Sequence, residues 1–238
     1  MSTLNLLYKT KYDINDSISI RIPTVGEVLE DEDRYNGMVF LLTAMPVDLL
    51  VQLDEAGIDF TTITDYDLFL MMFGELRSQD TSLIFGDLDL SKFELAIDEE
   101  SERAVLIDQS NDIIIDRRVH AQIAATLRKI HHLEKNRKKP GNKEAKDYMI
   151  ERAKIKAKRH KGRKEDSQLE SLITAMVCTE QFKYDYEGVK SLSIFQFNES
   201  VRQIVKKVDY DNRMYGVYAG TISAKDLSRE DLNWLTHK

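Results

Sequence analysis

The hydrophobic pattern of this chain changes period several times, and each change predicts an element. Ser17-Ile18-Ser19-Ile20-Arg21-Ile22 alternates polar and apolar side chains, the period of a half-buried strand, and Pro23 stops it. Thr24-Val25-Gly26-Glu27 fits a capping box, in which the Thr24 hydroxyl accepts from the Glu27 amide while the Glu27 carboxylate reaches back. One helix is predicted over 25–44. Pro46 suits the first turn of a second helix over 47–56, and Gly57 supplies its left-handed stop. Thr64 is placed to cap a third helix over 65–76, with Asp65 and Asp67 at its positive end. The centre of that helix, Leu68-Phe69-Leu70-Met71-Met72-Phe73, is apolar all round, which predicts burial on most sides.

A strand-rich stretch follows. Phe93-Glu94-Leu95-Ala96-Ile97 alternates, residues 98–102 read as a polar turn, Ala104-Val105-Leu106-Ile107 returns, and Ile113-Ile114-Ile115 adds a short strand. Helices dominate afterwards. Val119, Ile123, Leu127 and Ile130 recur at helical spacing behind a cap at Asp116. Lys139-Pro140-Gly141-Asn142 is a break, and 143–160 reads as a basic helix whose thin apolar stripe is Tyr148, Ile155 and a few alanines. Asp166 is expected to cap a helix carrying Leu169, Leu172, Ile173, Met176 and Val177. Ser193-Ile194-Phe195-Gln196 is a second capping box, followed by Phe197, Val201, Ile204 and Val208 on one face. Ser228-Arg229-Glu230-Asp231 predicts a last short helix ending in Trp234 and Leu235. The fold class read from these periods is α+β, predominantly α-helical with a small antiparallel β-meander and an N-terminal strand. Three regions are expected: an acidic helical domain with the meander over 1–133, a basic helix and linker over 134–165, and a C-terminal helical region over 166–238.

Charge sharpens that division. The 238 residues are 42% hydrophobic and 32% charged, enough apolar material for a core and more charge than usual to keep wet. The net charge of −7 conceals a balance of −18 over 1–116 (7 Lys+Arg against 25 Asp+Glu), +14 over 117–164 (18 against 4) and −3 over 165–238 (9 against 12). Such asymmetry marks an interaction surface. Two uses of the basic stretch are open. It can lie on the acidic half of its own chain, or it can meet another macromolecule, nucleic acid included, through salt-sensitive phosphate contacts. Almost no aromatics are interleaved with it for base stacking. No apolar run approaches the roughly 18–20 residues that span a bilayer, and Met1-Ser2-Thr3-Leu4-Asn5 has no cationic leader. The lone cysteine, Cys178, lies in an apolar stretch and is expected to be a small buried residue in a reducing compartment.

Candidate chemistry is sparse. The phosphate-binding loop, the dinucleotide fingerprint, the nucleophile elbow and the H-E-x-x-H zinc motif do not occur. His120, His131 and His132 are spaced too far along one helix to converge on a metal. Asp87-Leu88-Asp89-Leu90-Ser91 starts like a calcium loop, but position six is Lys92 and position twelve is Asp98, so a turn into a strand is expected. The carboxylates of Glu30-Asp31-Glu32-Asp33 and of Asp65 and Asp67 are paired as chance allows in so acidic a half. No cofactor is expected and no enzyme. The interaction candidates are Lys138, Lys139, Lys154, Lys158, Arg159, Lys161 and Arg163 in the basic stretch, and Tyr215, Tyr218 and Trp234 near the C-terminus. Tyr215-Gly216-Val217-Tyr218-Ala219-Gly220 suits either a contact with another subunit or a tight internal crossing. Met71-Met72-Phe73 is a candidate adaptable apolar surface.

Five segments carry a resemblance: Ile20-Arg21-Ile22-Pro23-Thr24-Val25-Gly26-Glu27; Gln52-Leu53-Asp54-Glu55-Ala56-Gly57-Ile58-Asp59-Phe60; Asp65-Tyr66-Asp67-Leu68-Phe69; Phe85-Gly86-Asp87-Leu88-Asp89-Leu90; and a tail running from Phe195-Gln196-Phe197-Asn198 through Tyr218-Ala219-Gly220-Thr221 to Leu232-Asn233-Trp234-Leu235. Together they resemble, over nearly the whole chain, a family encoded by tailed bacteriophages and prophages of Gram-positive bacteria. The resemblance implies tail morphogenesis, as a tail-assembly chaperone or as a small structural protein of the tail or baseplate. It implies partners among tape-measure, tail-tube or baseplate subunits, a possible homo-oligomer, and a location in the host cytoplasm or the virion tail. It brings no catalytic residue. The acidic half, the meander and the tyrosine-bearing tail are then the contact surfaces, with nucleic-acid binding through 135–164 as the alternative function.

Overall fold

Chain pairing begins with two short antiparallel strands, β1 (Lys11–Asp13) and β2 (Ser19–Arg21), with Tyr12 opposite Ile20. The computed structural model describes residues 5–98, 102–160, 167–228 and 231–235. Only β2 is legible as alternation. β1 is equally short but lacks the flanking alternation that β2 has over 17–22, and Asn15 closes the turn by accepting from the amides of Ser17 and Ile18.

The helix expected over 25–44 is two helices, α1 (Val25–Glu30) and α2 (Glu32–Thr43). Asp31 separates them with an extended φ of −155°, and its side chain caps α2 by accepting from the Arg34 amide. A short carboxylate competes with the helix for backbone amides and favours the cap. The capping box at Thr24 and Glu27 forms as expected. After Pro46 the chain takes a 3₁₀ turn over Pro46–Leu49 before α3 (Leu50–Glu55). α4 (Asp65–Arg77) starts at its Thr64 cap, and a short α5 (Ser82–Phe85), unsignalled by any period, follows. α4 is not buried all round: Tyr66, Leu68, Phe69, Phe73 and Leu76 face inward, but Met71 is 54% exposed. Asp89 caps a 3₁₀ turn at Leu90–Lys92, which leads into a strand.

β3 (Glu94–Asp98), β4 (Arg103–Asp108) and β5 (Ile113–Ile115) make the expected antiparallel meander, with Leu106 opposite both Leu95 and Ile115. α6 (Arg117–His131), capped by Asp116, buries His120, Ile123, Ala124, Thr126, Leu127 and Ile130 and packs against α2, α4, β5 and the last long helix. α7 (Lys143–His160) is the basic helix. α8 (Gln168–Val177) is capped by Ser167; the expected cap, Asp166, lies outside the described residues. α9 (Tyr186–Ser191) precedes α10 (Ile194–Tyr218), whose capping box at Ser193 and Gln196 forms as expected. Thr24 and Ser193, the caps of α1 and α10, pair in an isolated antiparallel bridge. Gly26 permits this approach, since a Cβ there would stand 3.2 Å from the Lys190 carbonyl oxygen.

One apolar core runs through both halves of the chain. Ile20, Val28, Tyr35 and Leu127 share it with Ile173, Met176, Val189, Ile194, Phe195 and Phe197. Glu32 on α2 fastens α8 to this body by accepting from the Ser167 hydroxyl and the Leu169 amide. Cys178 is exposed rather than buried, because it is the C-cap of α8, past the last core position, Met176. A second, smaller core lies apart: Ala44, Leu50, Leu53, Phe60 and Leu68, closed by Ile150 of α7.

Candidate interaction sites

The smaller core brings the acidic and basic parts of the chain together. α3 and the 58–63 loop offer an apolar floor around Phe60, and the acidic composition of that stretch places carboxylates at its rim. α7 lies across it. Lys146 and Lys154 are eight residues apart, hence on one helical face. Lys146 Nζ reaches Asp59 at 2.6 Å and Lys154 Nζ reaches Asp54 at 2.5 Å. Between them Ile150 is buried, with Met149 and Ala153 beside it. In the preceding linker Lys135 Nζ pairs with Asp65 at 2.7 Å, and the Asn136 amide donates to Asp48. The apolar side of α7 is therefore Met149, Ile150 and Ala153; the stripe expected at Tyr148 and Ile155 faces solvent. Two positions per turn compete for the inside, and the side that also carries correctly spaced lysines wins.

The electrostatics follow from these pairs. Hydrogen bonds from Lys146 and then Thr61 hold the Asp59 carboxyl down at about 2. Burial pushes Asp65 up, but the Lys135 hydrogen bond and charge more than offset it, so this carboxyl sits below its usual range. Its hydrogen bond to Asp54 holds the Lys154 ammonium above its usual value. Exposed ion pairs contribute little each and weaken with salt. Burying one isoleucine contributes roughly 1.5–3 kcal/mol. α7 is thus held by a few kcal/mol.

Four of the carboxylates that stood out in the sequence are engaged structurally. Asp31 and Asp67 take part in helix caps, Glu32 fastens α8, and Asp65 meets Lys135. The two histidines of α6 and its C-cap His132 face three different helices. His120 stacks on Phe69 of α4 with ring centroids 4.3 Å apart, His131 Nε2 meets the Tyr35 hydroxyl of α2 at 2.9 Å, and His132 Nε2 lies 3.2 Å from Glu199 of α10. Among the described residues no group of three or more His, Cys, Asp or Glu side chains could hold a metal ion.

The second candidate site is the distal part of α10 and the tail. Phe197, Val201 and Ile204 carry the core stripe outward, and Val205 and Val208 continue it into solvent. The tail folds back on the helix. Ile222 covers Gly216 so closely that a Cβ there would stand 2.6 Å from Ile222 Cδ1, Arg213 pairs with Asp231, and Lys207 lies over the Trp234 ring at 5.8 Å. Gly216 therefore serves an internal crossing, while Tyr215 and Tyr218 point outward, 77% and 82% exposed. Ser228 and Asp231 exchange the expected capping bonds, but described residues 231–235 form turns rather than a helix.

Of the sequence-predicted candidates, the structure places Lys154 in the interface with the acidic half and leaves Lys138, Lys139, Lys158 and Arg159 exposed. Lys161 and Arg163 lie outside the described residues. Sequence reasoning missed Lys146, its partner Asp59, and Asp54, the partner of Lys154. The signal was present as lysines eight apart around Ile150, but reading only the apolar positions hid it. The meander adds an edge strand, β3, with Leu95 and Ile97 exposed.

The comparisons bear on the second site. Residues 160–238 match the family model described as YomV second domain. YomV is a Bacillus phage or prophage protein, so the match ties this third of the chain to a phage-type protein family. No curated protein and no solved structure matches the chain. No helix among the described residues is long and apolar enough to cross a membrane.

Proposed function

We propose that this protein is a bacteriophage tail-morphogenesis protein that works by protein–protein contact and without catalysis, as a tail or baseplate component or a tail-assembly chaperone. The observation that carries the reading is the C-terminal arm. The stretch that matches the phage-type domain also exposes Val205, Tyr215, Tyr218, Leu232 and Leu235. Tyrosines on a polar scaffold are common contact residues, amphipathic and stiff. Mass spectrometry of purified particles tests the reading: a stoichiometric signal supports a structural part, and presence in infected cells but not in particles supports an assembly factor. Absence of any tail defect when the gene is deleted overturns it.

A second reading rests on a separate observation. Lys138, Lys139, Lys158 and Arg159 are exposed and have no ion-pair partner among the described residues. They could meet a polyanion while Lys135, Lys146 and Lys154 stay paired. Titration with duplex DNA at two salt concentrations decides: no binding at low salt removes it.

A further inference from the structure

We infer that the acidic lobe around Phe60 is a receptor for basic amphipathic helices, that α7 is its tethered occupant, and that a partner helix of the same chemistry takes the seat when α7 leaves it. The inference rests on the contact-based reading above and names the chemistry of one partner.

The seat has the features of helix-in-groove recognition. Its floor, Ala44, Leu50, Leu53, Phe60 and Leu68, is a cluster separate from the main core. Its rim is acidic, with Asp54 and Asp59 in use. The occupant shows what the seat reads: lysine at i, apolar residues at i+3, i+4 and i+7, and lysine at i+8, supplied here by Lys146, Met149, Ile150, Ala153 and Lys154. Lysines eight residues apart stand about 12 Å apart along the helix axis, so each reaches a carboxylate of its own, Asp59 and Asp54. The acidic rim repels nucleic acid and favours a cationic helix.

α7 is suited to leaving. Among its described side chains it buries one, Ile150, where α6 buries six. Its ion pairs are exposed to salt. On one side 133–142 has no regular secondary structure, and on the other the chain is pinned again at Ser167 by Glu32. The bonds from Ser167 and Leu169 to Glu32 that fasten α8 do not involve α7. The 18 residues of α7 are rich in alanine, lysine, arginine and glutamate, which sustain helix with little tertiary support. A tether of this kind acts as a competitor at an effective concentration on the order of millimolar. It blocks weak helices and yields to a better-matched one.

The test uses the full chain and a labelled peptide of residues 143–160, followed by fluorescence anisotropy at low and high salt. The wild-type chain should bind the peptide weakly. The variant Lys146→Glu/Lys154→Glu, whose own α7 is released, should bind roughly tenfold tighter or better, with the gain falling as salt rises. A peptide carrying the same two glutamates should not bind. Equal binding by both chains, or by both peptides, overturns the inference. Should circular dichroism show the variant unfolded, hydrogen exchange on the wild-type chain decides. Amides of α7 should exchange faster than those of α6, and faster still at high salt. Equal protection at both salts overturns the receptor. A negative peptide assay with the protein present in particles sinks the receptor alone, and a missing tail phenotype sinks the tail reading without touching the peptide result.

Discussion

α6 and α7 follow one another in the chain, and they hold to the protein in opposite ways. α6 puts six of its fifteen residues into the interior, between α2, α4, α10 and β5. α7 is longer, 18 residues, yet Ile150 is its one buried position among the described side chains, and lysine–carboxylate pairs do the rest. Apolar burial is not screened by salt, whereas exposed ion pairs are. The difference teaches where motion is affordable: the body is fixed by α6, and α7 is an attachment that can open without unfolding the rest.

The largest expected effect lies in the first region. Leu127 is 0% exposed at the centre of α6, and Leu127→Ala should cost about 2–5 kcal/mol of global stability, read as a lower denaturant midpoint. Ile150→Ala removes as much side chain, but its cost cannot exceed what holds α7 in place. The global midpoint should stay nearly unchanged while α7 amides lose protection. Equal midpoint shifts for both variants would erase the contrast.

Acid should act next, and on α6 first. Burial pushes His120 down to about 4, against a weaker upward pull from Asp65, and burial pushes His131 down to about 4 as well. The unfolded chain protonates these rings near 6.5 while the folded chain cannot. Stability is therefore full above about 6.5 and is lost as pH falls toward 4, by on the order of 3 kcal/mol for each ring. His120→Phe, which keeps the stack on Phe69, should flatten that limb in a denaturation series against pH. Asp59 titrates lower. Its contribution is present above the ordinary carboxylate range, near 4, and is lost as pH falls through about 2. Loosening around α6 should thus precede loss of the Lys146–Asp59 pair.

The two helices also differ in how much of them could be read beforehand. α6 announces itself: Ile123, Leu127 and Ile130 follow the helical period, Asp116 caps it, and the structure agrees on each. α7 was legible as a helix but not in its orientation. Tyr148 and Ile155 are the larger apolar residues, and the interior took Met149, Ile150 and Ala153, because the face had to present Lys146 and Lys154 to Asp59 and Asp54. The lysine spacing around Ile150 was there to be read, but which carboxylates the lysines meet is set by tertiary pairing. The same holds for Asp31, where four successive acidic residues gave no sign of which one would interrupt a helix. On α8, Cys178 sat in an apolar run, but its place as the C-cap depended on where the helix stopped.

Asp116 offers a smaller test on the α6 side. Its carboxylate accepts from the Val119 amide at 2.7 Å, and Asp116→Ala should cost about 1 kcal/mol in the same midpoint measurement, independent of salt between moderate concentrations.

The smallest effect is the most discriminating. Lys154→Gln leaves Ile150 and the fold of α7 untouched and removes one exposed ion pair with Asp54. No change in global midpoint should be detectable. Hydrogen exchange of the α7 amides should rise by roughly two- to threefold at low salt, as expected for the loss of a single surface pair. High salt should abolish the difference between variant and wild type, because the wild-type pair is then screened too. The α6 amides should not respond to either change. A salt response shared by α6 and α7 would mean that they open as one unit, and α7 would then be part of the body rather than a strap laid across it.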